Sequence, residues 1–321
     1  MKAAIVAAAG QPPVLADFDD PGALEGHRRI DVCASALSVV ARSRAAGKHY
    51  SSTGAFPFVA GIDGTGRLDN GQRVYFFGPH APFGALAERT LVPAAQCVPL
   101  PEALDDVTAA AIAIPGLSSW AALAERARFE AGETVLVNGA TGTSGKLAVQ
   151  IARHLGARRV IATGRNAASL EALKALGADV TISLQQDEES LVRAFEPLFA
   201  QGVDVVLDYL WGTSARALLI AAAQAGAETQ SVRFVQIGSI SGAGIALPGA
   251  VLRAAPITLL GSGMGSVSLA RLLDAVRGVF GAVAPAGLRI ETLALPLAEL
   301  EEHWARERSD MRTVFTVGSG W

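Results

Sequence analysis

Thr134-Val135-Leu136-Val137-Asn138-Gly139-Ala140-Thr141-Gly142-Thr143-Ser144-Gly145 is the stretch whose reading decides the fold. Thr134–Asn138 is apolar and β-branched enough to form a buried parallel strand. The next seven residues hold three glycines. Lys146–Leu155 then places Leu147, Val149, Ile151 and Leu155 at helical spacing. Strand, glycine-rich turn and helix form the context in which a dinucleotide fingerprint carries meaning. The core reads Ala140-x-Gly142-x-x-Gly145. Gly142 would admit a pyrophosphate to the backbone, and Gly145 would let helix and strand pack closely. Ala140 stands where the first glycine of the pattern usually falls, so the turn must tolerate a methyl group. Free N–H groups at the helix start, near Thr143 and Ser144, would hold phosphates. Thr141, Gly142, Thr143 and Ser144 are therefore candidate cofactor contacts. An ordinary tight strand–helix turn is the alternative.

Composition sets the frame. The chain has 321 residues, room for one large or two medium domains. Half its residues are hydrophobic and 18% are charged, enough for a sizeable core. The net charge of −3 and the lack of a basic run argue against nucleic acid as a partner. Cys33 and Cys97 form neither a disulfide framework nor a CxxC pair, so a reducing cytoplasm is expected. The opening Met1–Ala9 resembles a short signal segment. Gln11-Pro12-Pro13 interrupts it, and it reads better as a first strand. No later run is expected to be long enough to span a membrane.

The first hundred residues are strand-rich. Strands are expected at Ala3–Ala8, Arg29–Ala36, Gly66–Leu68, Arg73–Phe77 and Glu88–Val92. Asp69-Asn70-Gly71 is a hairpin signal between two of them. Asp105–Arg128 is Ala-rich and helical, with a stop and restart at Pro115-Gly116. Strands then alternate with helices. The strands are Thr134–Asn138, Arg159–Thr163, Val180–Ser183, Val203–Asp208, Arg233–Gly238 and Ile257–Gly261. Six strands in this alternation predict an α/β fold with a doubly wound parallel sheet. A tail with a strand at Leu288–Leu293, a helix at Leu297–Arg308 and a strand at Arg312–Val317 is expected to fold back onto the N-terminal domain.

The second strand of the alternation selects the cofactor. An acid at its end would accept from an adenosine ribose 2′-hydroxyl. Gly164-Arg165-Asn166 stands there instead. Gly164 makes room for a 2′-phosphate and Arg165 offers it a charge-assisted fork. Asn166 adds a donor and also suits a helix cap. NADPH is therefore expected in preference to NADH. A solvated loop arginine is the alternative.

Several passages now resemble one family. Phe58-Val59-Ala60-Gly61-Ile62-Asp63-Gly64-Thr65-Gly66 is similar to a Pro-x-x-x-Gly-x-Asp-x-x-Gly segment. Phe83–Glu88 is similar to a Gly-x-Tyr-Ala-Glu strand, with Leu86 in place of the tyrosine. Val98–Pro101, Pro115–Trp120 and Leu176–Asp179 follow in the matching order. Together they resemble the zinc-free quinone oxidoreductase (zeta-crystallin-like) branch of the medium-chain dehydrogenase/reductase superfamily. The resemblance implies a GroES-like β-rich catalytic domain over residues 1–117 and 282–321, a Rossmann domain over 118–281, and an active site in the cleft between them. It implies nicotinamide walls at Ile237, Gly238 and Ser239 and at Ser262, Gly263 and Met264. It also implies a pyrophosphate contact from Arg312. A homodimer through the Ile257–Leu260 edge is expected on the same ground.

The chain departs from the family where substrate would bind. Ser38 and Ala41 replace an amide and an acid, and Tyr50 sits one place late. Ser169 and Leu184 replace a lysine and a tyrosine of related 2′-phosphate sites, which leaves the charge recognition to Arg165.

The chemistry follows from the residue types. Catalytic zinc wants three matched ligands, and Cys33, Cys97 and the scattered histidines supply no such set, so no metal is expected. Hydride delivery to a quinone or an α,β-unsaturated carbonyl then becomes the expected reaction, with a donor near the developing oxyanion. Tyr50 is the candidate catalytic donor, with His49, Ser38 and Arg44 behind it. Ser118 is read as a helix cap. A Gly-x-Ser-x-Gly hydrolase is not supported, because Gly238–Gly242 follows a late sheet strand. Two rivals stand beside the reductase: an NADPH-binding redox sensor of the same fold with little turnover, and an enoyl-thioester reductase.

Overall fold

A computed structural model describes residues 1–49, 52, 54–225, 230–306 and 311–318. The chain forms two compact units, Met1–Ile114 with Ile290–Trp321, and Pro115–Arg289.

The first unit begins with β1 (Lys2–Val6), β2 (Val14–Asp17), β3 (His27–Ala36), α1 (Val39–Ala45) and β4 (Phe58–Val59). It continues with β5 (Asp63–Leu68), β6 (Arg73–Phe77), β7 (Arg89–Pro93), β8 (Cys97–Pro99) and the start of α2 (Asp106–Ala121), a helix that passes into the second unit at Pro115. β1 lies between β2 and β4 in a three-stranded antiparallel sheet. The predicted Asp69-Asn70-Gly71 turn joins β5 to β6. Gly71 takes φ +81°, which a side chain would resist, and Leu68 N–H donates to Gln72 O at 3.0 Å. β2, β4 and β8 escape the sequence pattern because each is only two to four residues long.

α2 runs through Pro115, where a stop and restart was expected. The proline removes one N–H. Its own carbonyl accepts from the hydroxyls of Ser118 (2.8 Å) and Ser119 (3.1 Å). Ser118 therefore bonds back within the helix rather than capping a new one. Gly116 lets the helix lie against Val279, whose Cγ1 would be 2.7 Å from an added Cβ. A π-helical turn, Ala122–Ala127, follows. The 22-residue run Asp106–Ala127 is long and apolar enough to cross a membrane by composition, contrary to the expectation of no such run, but 67% of its apolar window is buried inside the protein.

The second unit alternates β9 (Thr134–Asn138), α3 (Thr143–His154), β10 (Arg159–Gly164), α4 (Ala167–Lys174), β11 (Val180–Ser183) and α5 (Glu188–Ala200). It goes on through β12 (Val205–Asp208), α6 (Thr213–Ala225), β13 (Val232–Gln236), α7 (Val251–Ala254), β14 (Ile257–Gly261) and α8 (Leu269–Ala286). All its strand pairs are parallel, in the order β11-β10-β9-β12-β13-β14. That is the doubly wound order whose direction reverses beside the first strand, β9. Phe195, Phe199, Leu218, Phe234 and Leu136 form the core between the sheet and α5 and α6.

The tail adds β15 (Thr292–Pro296), α9 (Leu300–Trp304) and β16 (Arg312–Thr316) to the first unit. The expected strand at Leu288–Leu293 starts later. Gly287 in the left-handed region and a Leu288 N–H bond to Val283 O (3.1 Å) close α8 there instead. The expected helix to Arg308 is a 3₁₀ turn, Leu297–Glu299, followed by α9, and Arg308 lies outside the described residues. β16 pairs antiparallel with β3 and parallel with β15, so the tail completes the N-terminal sheet, in the order β15-β16-β3-β5-β6-β8 with β7 beside β3.

Candidate functional site

At the C-terminal end of the parallel sheet the chain turns from β9 into α3. The left-handed residue of this turn is Gly139 (φ +87°), one place before Ala140, which is fully buried. The turn thus tolerates the Ala140 methyl group because Gly139 takes the unusual conformation. Gly145 packs α3 onto the turn: an added Cβ would sit 2.4 Å from Gly139 O and 2.5 Å from Ala140 Cα. Gly142 differs. The nearest atom to a Cβ there is Gly139 O at 4.0 Å, so its surroundings are open. Gly142 is the N-cap of α3 and offers no side chain to the helix start. The first-turn N–H groups of Thr143 and Ser144 therefore receive no side-chain cap from that position.

A buried polar network holds this turn. Asn138 Nδ2 donates to Asp208 Oδ1 (2.8 Å) and to Ser214 Oγ (3.0 Å). Thr163 Oγ1 donates to Asn138 Oδ1 (2.7 Å) and accepts from Gly139 N–H (3.1 Å). Ala140 N–H donates to Thr163 O (2.8 Å). Burial raises the Asp208 carboxyl, opposed by the bonds from Asn138, Leu210 and Trp211. Nearby, Ser119 Oγ lies 2.8 Å from Tyr209 Oη, a phenol that burial pushes up to about 12. The side chains of Asn138, Thr163, Asp208, Ser214 and Tyr209 were not singled out from the sequence. Their one signal was polar side chains, Asn138, Thr163 and Asp208, ending strands that are otherwise apolar.

β10 ends on Gly164 beside the turn. The room there is filled by Thr141, whose Cγ2 would be 2.4 Å from an added Cβ, so Gly164 admits Thr141 rather than leaving a space. Arg165 is exposed. Asn166 caps α4, its Oδ1 accepting from Ser169 N–H at 2.8 Å. Ile237 and Gly238 N–H both donate to Asp208 O (2.8 and 3.1 Å). Ser262 N–H donates to Gln236 O (2.8 Å), and Gly263 N–H to Ser266 Oγ (2.8 Å). Trp211, Gln236, Ser239 and Gly261 line an open depression of about 730 Å³ at these strand ends. Met264 follows in the same loop.

In the first unit, Tyr50 lies outside the described residues. Ser38 is the N-cap of α1, accepting from Ala41 N–H at 2.9 Å, which occupies it structurally. The Arg312 guanidinium is buried, and its Nε and Nη2 have no hydrogen-bond partner among the described residues. It acts at a distance on Asp63. That carboxyl accepts from Tyr75 Oη at 3.2 Å and is raised to about 7 by burial, against the lowering influence of Arg312 and of the tyrosine bond. A second pocket, of about 720 Å³ and partly open to solvent, lies between α1, the segment before β5 and the Pro79–Phe83 segment.

Residues 145–277 match the zinc-binding dehydrogenase family. The chain is 31% identical to a probable NADPH-dependent quinone reductase of Emericella nidulans, over 96% of this chain and 97% of that protein. It is 32% identical to a 2-methylene-furan-3-one reductase of Solanum lycopersicum, over 56% of this chain and 50% of that protein. The quinone oxidoreductase of Thermus thermophilus, solved alone and with NADPH, superposes with a TM-score of 0.79 at 27% identity, over 98% of this chain and all of that one.

Proposed function

Because the chain belongs to the medium-chain dehydrogenase/reductase superfamily, in its quinone oxidoreductase branch, we propose that it reduces a quinone or an α,β-unsaturated carbonyl with NADPH and without a metal. The carrying observation is the glycine turn, in a chain related end to end to an NADPH-dependent reductase. The residues of the second unit fit that cofactor: an open Gly142 over a helix N-terminus and an exposed Arg165.

NADPH, when bound, supplies the hydride. The chain supplies position and charge. Thr141, Gly142, Thr143 and Ser144 hold the phosphates through backbone N–H groups. Arg165 takes the 2′-phosphate. Asn166 spends its Oδ1 on the α4 cap, which leaves only its amide nitrogen to donate. Gly164 keeps Thr141 seated beside them. Ile237, Gly238, Ser239, Ser262, Gly263 and Met264 wall the nicotinamide, and the family resemblance assigns the pyrophosphate to Arg312. Hydride arriving on a conjugated acceptor leaves an oxyanion that needs a hydrogen-bond donor and then a proton. Tyr50 Oη is assigned that role.

The metal-free reading rests on the residue types along the chain, with Cys33, Cys97 and the scattered histidines offering no matched set of three ligands. Domain limits near 117/118 and 281/282, a cytoplasmic site and a homodimer through the β14 edge belong to the same proposal. The test is NADPH consumption with a small quinone and with a 2-alkenal, on protein treated with a chelator. Retained turnover with either acceptor supports the reading. Loss on chelation and return with zinc overturns its metal-free part, and NADPH binding without turnover favours the sensor.

A further inference from the structure

Among the described residues, the pocket of the first unit is walled mainly by apolar side chains and holds one cation. Phe56, Phe58, Ile62, Pro82 and Phe83 line it together with Arg44. Arg44 is half-buried, and burial lowers its pKa with no acidic side chain offsetting the cost among the described residues. Taking a guanidinium out of water costs free energy unless an anion meets it. Ala41 lies one turn before Arg44 on the same wall and brings no charge. His49 does not compensate either, since burial and the Arg44 charge both lower its pKa and favour its neutral form. Ser52 lines the same pocket, and its hydroxyl oxygen is buried without a hydrogen-bond partner among the described residues.

We propose that this pocket binds the anionic end of the substrate, so that the preferred acceptor is a planar conjugated carbonyl compound carrying a carboxylate or sulfonate that pairs with Arg44 and Ser52 Oγ. The aromatic and proline walls suit a flat ring. A guanidinium forks onto two oxygens of such a group, which fixes orientation as well as charge. The proposal rests on the reductase reading for the word substrate, but not for the binding site.

The test compares 1,4-naphthoquinone with its 2-sulfonate, by turnover with NADPH and by calorimetric titration of the sulfonate in the absence of NADPH. The expected result is that the kcat/KM ratio, sulfonate over neutral, falls at least about tenfold in Arg44→Met. Ala41→Asp, which neutralises Arg44 from the neighbouring turn, produces the same loss without removing the arginine. Arg44→Lys restores part of the ratio. Titration shows the same ranking for sulfonate affinity. A ratio and an affinity that change less than about twofold in both Arg44→Met and Ala41→Asp overturn the proposal. No turnover of either quinone by the wild-type protein counts against the reductase reading alone, and the titration still decides the anion site.

Discussion

Asn138 at the end of β9 and Asp208 at the end of β12 are joined by a 2.8 Å hydrogen bond from Asn138 Nδ2 to Asp208 Oδ1, and both residues are fully buried. The same carboxylate accepts from the N–H groups of Leu210 and Trp211. Through Thr163, the amide also fixes Gly139. One buried pair thus sets the loop after β12 and the glycine turn after β9. Asp208→Ala leaves several buried donors unpaired and should cost about 2–4 kcal/mol. A lowered urea midpoint at unchanged slope, together with weaker NADPH binding, is the expected result.

The two glycines that open α3 separate architecture from binding. Gly145→Ala drives a Cβ to 2.4 Å from Gly139 O, a backbone atom that cannot swing away. It should destabilise by about 3 kcal/mol or more. Gly142→Ala meets no protein atom closer than 4.0 Å, and φ is −77°, which alanine accepts. Its stability should stay within about 0.5 kcal/mol of wild type. Its NADPH affinity should nevertheless fall, because the methyl group occupies the place of the phosphate. Denaturation and cofactor titration of both variants check this, and a Gly142→Ala protein that binds NADPH normally would contradict the phosphate assignment.

Arg165 is assigned to the 2′-phosphate. Arg165→Ala should raise the Kd for NADPH about 10- to 100-fold, the worth of a charge-assisted pair. The NADH value should move far less. Equal losses for both nucleotides would mean that Arg165 does not read the 2′ position.

Asp63 predicts a pH dependence of stability. Its carboxyl is raised from 3.8 to about 7, first by burial, with Arg312 and the Tyr75 bond acting the other way. Below the unfolded value both states hold the proton, and the group's contribution is fully present. Between the two values the unfolded chain has released its proton and the folded chain has not. Stability therefore falls as pH rises through this window, by on the order of 4 kcal/mol in total. Urea midpoints of the wild type should decline from pH 5 to 7 and then level off, whereas Asp63→Asn should show a flatter profile. Identical profiles would remove Asp63 as the source.

The homodimer proposal has a specific surface. β14 is the terminal strand of its sheet, and Leu259 on it is 40% exposed. A bare apolar edge invites pairing, and a lysine blocks it. Leu259→Lys should sediment as a monomer at micromolar concentration where the wild type is a dimer. A monomeric wild type would end the proposal.

The parallel sheet was legible because its signal is local. Each of its strands is an apolar run closed by turn residues, and each following helix has its own periodicity. Pro115 misled because the sequence shows the missing N–H but not the Ser118 and Ser119 hydroxyls or the Val279 contact beside it. The tail strand was misplaced because α8 runs to Ala286 and closes at Gly287, where the sequence shows an apolar Leu288 but not its backbone bond to α8. Within the candidate site, the binding role of Arg165 is a proposal, while the glycine turn between β9 and α3 was readable from chain position. The Asn138–Thr163–Asp208 network was not, since it joins strand ends 25 and 70 residues apart. The same is true of the Arg44 pocket, whose walls come from three separate segments.

The central claim is an NADPH-dependent reductase, and kcat/KM for NADPH and for NADH with 1,4-naphthoquinone as acceptor tests it most directly. The account predicts turnover with NADPH preferred by about tenfold or more. Turnover with NADH equal to or better than NADPH would contradict the cofactor assignment, and failure to bind either nucleotide would contradict the reading of the glycine turn.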